Sequence, residues 1–379
     1  LTELFATFFS LDNIIITTIL PFLLVLTIVV FVHEMGHYLV GRWCGIGVRE
    51  FSIGFGPELF GFNDKHGTRW KLSAIPLGGY VKFLGDMAVT SDPGAQDTAI
   101  LTPEEKKAAF HLQPVWKRAA TVVAGPMFNF LLTIAVFAVM FSIYGRWVSE
   151  PTVAEVRPDT PAAVAGFMPG DRFVTVNGTH VTTFGDVQRL VSGRAGDAIV
   201  FVMARGEEQV TLTATPEIVE QTDALGNTVR VGVIGVVNNQ EFGQPRQLTY
   251  TPIEALGEAV TETWHVIART GQFLQRFAVG REDRCQLGGP VKIADMAGKA
   301  AAMGIEWVVQ LVALLSVGIG FLNLLPIPPL DGGHLAFYGA EAVLRRPVSE
   351  RVMEGFYRIG LLLVMGFMLF VFWNDLFGC

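Results

Sequence analysis

Residues 14–37 read IIITTILPFLLVLTIVVFVHEMGH. From Ile14 to Val32 there is no charged side chain, and His33-Glu34-Met35-Gly36-His37 follows directly. A helix of about 20 apolar residues crosses a hydrocarbon core, so this stretch predicts a membrane span ending in a cluster of ionisable groups. On a helix, residues four apart share a face. Both imidazoles can therefore bind one metal, with Glu34 close enough to hold a water. Such groups at membrane depth are costly unless they are paired or functional.

The rest of the chain fits a polytopic α-helical membrane protein with about four transmembrane helices. Ala119 to Tyr144 and Trp307 to Leu330 are also uncharged. Ile359 to Trp373 is long enough once Phe356 and Tyr357 are included, with Arg358 snorkelling. Apolar residues make up 51% of the 379 and charged residues 17%, against about 25% in soluble domains. The net charge of -7 argues against a nucleic-acid partner and leaves membrane lipid as the surroundings. Three cysteines without CxxC spacing predict neither a zinc ribbon nor a disulfide framework. No basic region precedes the first apolar run, so no cleavable signal peptide is expected.

Arg345, Arg346 and Arg351 lie between the third and fourth spans, whereas the tails before Ile14 and after Trp373 carry no Lys or Arg. The positive-inside rule then puts that loop in the cytoplasm and both termini outside. Residues 43–118 become cytoplasmic and 145–305 extracytoplasmic, since long domains translocate regardless of charge. The HExxH motif falls at the cytoplasmic end of its span.

HExxH supplies two ligands, and a catalytic zinc wants a third. The third span ends in Asn323-Leu-Leu-Pro-Ile-Pro-Pro-Leu-Asp331-Gly-Gly-His334. Three prolines break the helix, and unwound backbone at membrane depth needs protein or a cavity around it. Asp331, followed by two glycines that permit close approach, is a candidate third ligand. His334 competes with it, and a helix-capping role for Asp331 is a further alternative.

HEMGH with NLLPIPPLDGG resembles the site-2 protease family of intramembrane zinc metalloproteases, most nearly the bacterial regulator of sigma E group. The resemblance extends to Gly54-Phe55-Gly56, to IPLGGYVKFLGD (Ile75 to Asp86), to AGPMFNF (Ala124 to Phe130) and to LGGPVKIA (Leu287 to Ala294). It implies that His33, His37 and Asp331 bind Zn2+ and that Glu34 is the general base. It also implies that Asn323 lies near the active site, where its amide could donate to the substrate carbonyl as charge develops; interhelical packing is the alternative role. Gly125 and Asn129 match a family GxxxN pattern, read here as packing beside the catalytic helices. His334 is not a family ligand.

Residues 49–86 alternate apolar and polar in short runs divided by glycines, which reads as hairpins. Gly78, Gly79, Tyr80 and Val81 form an apolar segment able to dip towards the membrane. A strand edge there could pair with an unwound substrate, and the family has a membrane-associated β-loop in that role. Residues 87–110 read as a mobile polar loop. Beyond the second span, the predicted elements are a strand at Val153–Val156, a helix at Pro161–Ala165 and a strand at Arg172–Val176. A helix at Phe184–Val191, strands at Ala198–Met203 and Gln209–Ala214, and a strand pair within Val229–Val237 follow. DTPAAVAGFMPGDRFVTVNG resembles a PDZ domain of the bacterial protease type, and one such module is recognisable where the nearest family members carry two. Apolar residues from Ile253 to Phe277 at helical spacing predict an amphipathic helix, either on the outer membrane surface or packed on the outer module.

The expected domains are 1–43 (first span), 44–118 (cytoplasmic β-hairpin region), 119–145 (second span) and 146–247 (extracytoplasmic PDZ-like module). After them come 248–304 (amphipathic segment), 305–335 (third span with its broken end) and 336–379 (cytoplasmic connection and fourth span). The expected function is regulated intramembrane proteolysis in a bacterial inner membrane. Its substrates would be single-span proteins already trimmed outside, an anti-sigma factor or a remnant signal peptide by family resemblance. A metal transporter and a PDZ scaffold are the rival readings; no second ligand set or internal repeat of spans favours the transporter. No feature of the sequence sets the oligomeric state.

Overall fold

A computed structural model describes residues 14–85, 102–222, 228–238 and 246–378. The N-terminal tail used for orientation, and most of the polar loop expected at 87–110, lie outside the described residues. In chain order, α1 (Leu20–Trp43) follows a π-helical turn at Ile15–Ile19, and β1 (Val48–Asn63), β2 (Arg69–Phe83), α2 (Pro103–Ala108) and α3 (Val115–Tyr144) come next. Then come β3 (Arg146–Val148), β4 (Glu155–Val156), α4 (Pro161–Ala165), β5 (Arg172–Val176), β6 (Thr179–His180) and α5 (Phe184–Ser192). The strands β7 (Ile199–Arg205), β8 (Glu208–Ala214), β9 (Glu217–Thr222), β10 (Thr228–Val233), β11 (Val236–Val237) and β12 (Arg246–Leu248) follow. The chain closes with α6 (Pro252–Ala278), α7 (Pro290–Met303), α8 (Ile305–Asn323), α9 (Asp331–Leu344) and α10 (Glu350–Trp373). Residues 103–108, expected as loop, are helical because Thr102 and Glu105 form a reciprocal capping box around Pro103 at the first turn.

The chain divides into two compact units. The first comprises residues 1–137, 262–267 and 287–379. It holds helices long and apolar enough to cross a membrane at Ile15–Trp43, Ile305–Asn323 and Arg351–Gly378; a fourth such helix, Val115–Tyr144, has its first part here. Each span exposes large apolar side chains, among them Leu24, Leu131, Leu314 and Leu362, as lipid-facing helices do. The third span stops at Asn323, earlier than its apolar run suggests. Residues 324–330 leave the helix, Pro328-Pro329 is cis, and Asp331 opens a separate helix. Within the segment expected at 305–335, the broken end thus separates two helices, α8 and α9.

In the same unit β1 and β2 are long and bent. Phe51–Ile53 pairs on one side with Gly79–Val81 (Phe51 opposite Val81, Ile53 opposite Gly79) and on the other with Trp70–Leu72. Phe60–Asn63 covers the far side of Arg69–Leu72. The hairpin region thus behaves as a four-strand layer with Gly79–Phe83 on one edge, unpaired on its outer side among the described residues. Phe51, Phe83 and Val48 pack with Tyr38, Val122 and Tyr338 from three helices. Asp64 shapes the connecting turn by accepting from the His66 and Thr68 N–H groups. It ties that turn to α1 and β2 by accepting from Tyr38 Oη and Trp70 Nε1.

The second unit spans residues 138–261 and 268–286. Its centre is a four-stranded antiparallel sheet in the order β6-β5-β7-β8, with α4 and α5 completing a core of Phe167, Phe173, Phe201, Ile199 and Met203. The strand expected over Val153–Val156 contracts to Glu155–Val156, which pairs with Val236–Val237. Glu217–Thr222 and Thr228–Val233 form a separate hairpin. The amphipathic helix is present as α6, with Ile253, Leu256, Val260 and Trp264 exposed along one stripe and Ala255 and Ala259 buried. Cys44 is a free thiol, whereas Cys285 is disulfide-bonded, contrary to the reading of the cysteine spacing.

Candidate metal centre

The first span is one helix straight through the motif, so His33 and His37 stand a turn apart, each only 8% exposed. Their Nε2 atoms are 3.2 Å apart. Asp331, the first residue of α9, places Oδ2 3.1 Å from His33 Nε2 and 3.5 Å from His37 Nε2. Getting there requires the chain break. Gly332 lies so close to the unwound segment that a Cβ on it would fall 2.2 Å from the Leu325 carbonyl oxygen. Among the described residues these three are the group able to hold a metal ion. His334 is elsewhere: its ring meets Tyr357 Oη at 2.8 Å.

The donor set and its spacing fit zinc. Bonds of 2.0–2.1 Å in a tetrahedron put ligand atoms about 3.3 Å apart, which is the spacing seen here. Asp331 Oδ2 is buried and accepts no hydrogen bond from any described residue, although two ring nitrogens lie beside it. A buried acceptor without a partner costs about 1–3 kcal/mol, and a cation among the three atoms removes that cost. Two histidines and a carboxylate leave the fourth zinc position open, the pattern of catalytic sites.

The second span supports both rings. His37 Nδ1 donates to the Thr121 carbonyl at 2.9 Å, so its Nε2 faces the cluster with a free lone pair. His33 Nδ1 lies 3.2 Å from the side-chain amide of Asn129, which is fully buried. Gly125 makes the approach possible, because a Cβ there would sit 2.3 Å from His37 Nε2. The packing role read for Gly125 and Asn129 understates their position. The GxxxN spacing was the available signal, but it does not say which face of which helix it meets. The Thr121 carbonyl, a backbone group, leaves no trace in sequence at all. Further along, Arg118 pairs with Glu341 at 2.7 Å, fastening α9 to the second span.

Glu34 borders the β-layer. A Cβ on Gly79 would lie 2.9 Å from Val30 Cγ1 and 3.1 Å from Glu34 Cγ, so the Gly79 backbone rests directly on the helix beside Glu34. Of its neighbours, Tyr80 donates through Oη to Glu50, which also takes Lys71 Nζ at 2.6 Å. Burial raises the Glu50 pKa, but these two bonds outweigh it and hold the carboxyl below its ordinary range. Val81 packs against the Phe51 cluster, and Gly78 has φ +133°. What this segment offers is therefore its backbone edge rather than its side chains. Asn323 is half-buried at the end of α8, and no bond joins it to the three-residue cluster.

Comparison with known proteins agrees with this site. Residues 21–367 match the model of peptidase family M50. A protein of Mesorhizobium japonicum named as a zinc metalloprotease is 76% identical over 363 residues, covering 96% of this chain and 99% of that one. A Brucella suis protein named likewise is 62% identical over 377 residues, covering the whole of both. The metalloprotease MmpA of Caulobacter vibrioides is 40% identical over 376 residues, covering 93% and 94%. Among solved structures, the PDZ domain of the SdrC-like protein from Listeria monocytogenes covers 22% of this chain and 82% of its own, at 19% identity and a TM-score of 0.18; a score that low carries no argument. The family match begins at Pro21, inside the helix that carries both histidines, and runs beyond Asp331, so the chain belongs to peptidase family M50 and is a zinc metalloprotease.

Proposed function

We propose that this protein cleaves single-span membrane proteins within the bilayer, after a first cut has trimmed them outside. The observation that carries the reading is that Glu34, the three-donor cluster and a strand edge, unpaired among the described residues, meet beside the first span. His33, His37 and Asp331 are the zinc ligands. Zinc held there supplies Lewis acidity, polarising a peptide carbonyl and making water acidic enough to attack at neutral pH. Glu34 takes the proton from the attacking water and passes it to the leaving amine. Asn323 stands at the end of the third span to donate to the carbonyl oxygen as charge builds on it.

A substrate helix hides its carbonyls, so it must be unwound before it is cut. The outer edge of Gly79–Phe83 holds the unwound segment by strand addition through the backbone of Gly78, Gly79, Tyr80 and Val81. Because Gly79 rests against Glu34, a strand added there runs past the general base. The layer's Leu59, Phe60, Ile75 and Leu77 are at least half exposed, which suits immersion in lipid.

The active site faces the cytoplasmic side, with both termini and the second unit outside. The arginines at 345, 346 and 351 support this sidedness, as does the disulfide at Cys285, since disulfides persist in oxidising compartments. The second unit is PDZ-like. Between α5 and β10 it has a cavity of about 420 Å³, bordered by Val187, Val191, Val231, Val233 and Arg189, a shape that takes an extended peptide or excludes bulky untrimmed substrates. An anti-sigma factor or a remnant signal peptide fits the required substrate.

The test is cleavage of a trimmed single-span substrate by purified protein in liposomes. Glu34→Ala should lower the rate by about 10²–10⁴-fold while the protein keeps its zinc. Undiminished cleavage by that variant would sink the mechanism, and zinc flux through the liposomes with no cleavage would favour a transporter.

A further inference from the structure

We propose that Asn129 is a positioning residue that selects the ring tautomer and orientation of His33 for metal binding. The inference rests on the zinc site proposed above. Asn129 is 0% exposed inside a membrane-spanning helix, a place where an amide is expensive without a partner. Its side chain has one partner among the described residues, His33 Nδ1 at 3.2 Å. Its Oδ1 is buried without any. The residue is closely packed: Ser316 Oγ donates to its backbone carbonyl, Thr133 Oγ1 lies within reach of both that carbonyl and the Ala313 carbonyl, and a Cβ on Gly320 of the third span would fall 3.1 Å from its Cβ.

The chemistry dictates what the amide must do. A histidine binding metal through Nε2 is neutral, so its remaining proton is on Nδ1. The group facing His33 Nδ1 must then be an acceptor, and only the amide oxygen of Asn129 can be one. Which amide end faces the ring is an assignment made from the hydrogen-bond network. Exchanging the ends breaks no other bond, because Oδ1 engages nothing where it stands. His37 is fixed in the same tautomer by the Thr121 carbonyl. The second span thus supplies one acceptor to each ring, a backbone oxygen for His37 and a side-chain oxygen for His33. The orienting partner of a metal-ligating histidine typically contributes 10–100-fold in metal affinity.

The experiment measures zinc affinity by chelator competition on the full chain in detergent, together with the melting temperature of the metal-free protein. Asn129→Leu, similar in size but without an acceptor, should bind zinc about 10–100-fold more weakly. Asn129→Asp, which keeps an acceptor and loses the donor, should stay within a few-fold of the native affinity. A residue that only packs predicts the opposite pattern: Leu tolerated, Asp harmful, and affinity following the metal-free melting temperature. Equal zinc affinity in the Leu variant and the native protein overturns the proposal. Should either variant fail to fold, ¹⁵N-histidine spectra of the native zinc-loaded protein decide instead, with Nδ1-protonated signals expected for both rings. A His33 ring bound through Nδ1 would refute the role. If the native chain binds no zinc, or His33→Ala binds as well as native, the metal site itself is wrong; native binding that His33→Ala abolishes and Asn129→Leu preserves removes the Asn129 role alone.

Discussion

Two aspartates, one in each unit, are treated in opposite ways. Asp171 in the second unit has its side chain 1% exposed. Arg205 donates to both its oxygens at 2.7 Å, and the Met168 N–H donates to Oδ2. Asp331 has its side chain 18% exposed, but its Oδ2 is buried, accepts no hydrogen bond and faces two ring nitrogens. A carboxylate satisfied by its own chain is holding a fold together. One left open among other lone-pair donors is holding a place for something else.

The largest effect that tests this contrast is expected at Asp331. On the proposed reading, Asp331→Ala takes away one of three protein ligands and the negative charge that offsets the cation. Zinc content should fall from about one per chain to near zero, and cleavage to background. The metal-free protein should melt at or somewhat above the native metal-free protein, because a buried acceptor without a partner is removed. A clear drop in that melting temperature would mean that Asp331 is structural after all, and the contrast with Asp171 would collapse.

Asp171→Ala should do the reverse. Zinc content and the intrinsic rate on a trimmed substrate should not change. The second unit should lose about 1.5–3 kcal/mol, the contribution of a hydrogen bond to a charged acceptor, here the one from the Met168 N–H. Limited proteolysis within residues 151–216, set against zinc content, separates the two outcomes. Loss of zinc in this variant would show that the units are coupled more tightly than their separate cores suggest.

These two sites also differ in how far sequence reveals them. Asp171 sits in a Pro-Gly-Asp turn that the sequence shows, although its partner Arg205 is distant in the chain. The strands and helices expected between Val153 and Ala214 were legible within a residue or two. The pair expected within Val229–Val237 is not one, since Thr228–Val233 pairs with Glu217–Thr222 and Val236–Val237 with Glu155–Val156. The metal site was legible where its parts share one helix turn, as His33 and His37 do. Asp331 was reachable because three prolines announce a break in an otherwise continuous apolar run. Asn129 and the Thr121 carbonyl were not legible in their roles. Spacing within one helix does not reveal which neighbouring helix it faces, and a backbone acceptor has no residue signature. The short helix 103–108 was missed despite a readable signal, since Thr102-Pro-Glu-Glu105 is a capping box ahead of the helix. Residues 79–83 read as part of a hairpin, but that they form an edge depends on β1 being flanked on both sides, which only the register shows.

Asp64 stands between the two extremes and gives the smallest effect. Burial raises its pKa, but the Thr68 N–H, the Trp70 indole, the His66 N–H and the Tyr38 hydroxyl outweigh that and hold the carboxyl well below its ordinary range. A folded-state pKa below the unfolded value near 3.9 stabilises the turn above that pH and loses the contribution as pH falls towards the folded value. Hydrogen exchange at the Thr68 and Trp70 amides should therefore show less protection, after correction for intrinsic rate, when pH drops from about 6 to about 3. Asp64→Asn cannot ionise, so its protection should be lower at pH 6 and nearly flat across the range. The loss should stay in the β-layer and leave zinc affinity at pH 7 unchanged, because Asp64 reaches the first span only through Tyr38, one residue past His37 but with its ring in the β-layer core. A fall in zinc affinity with Asp64→Asn would show instead that the turn sets the pose of the HExxH helix, so that a carboxylate satisfied by its own chain can still govern the one that is not.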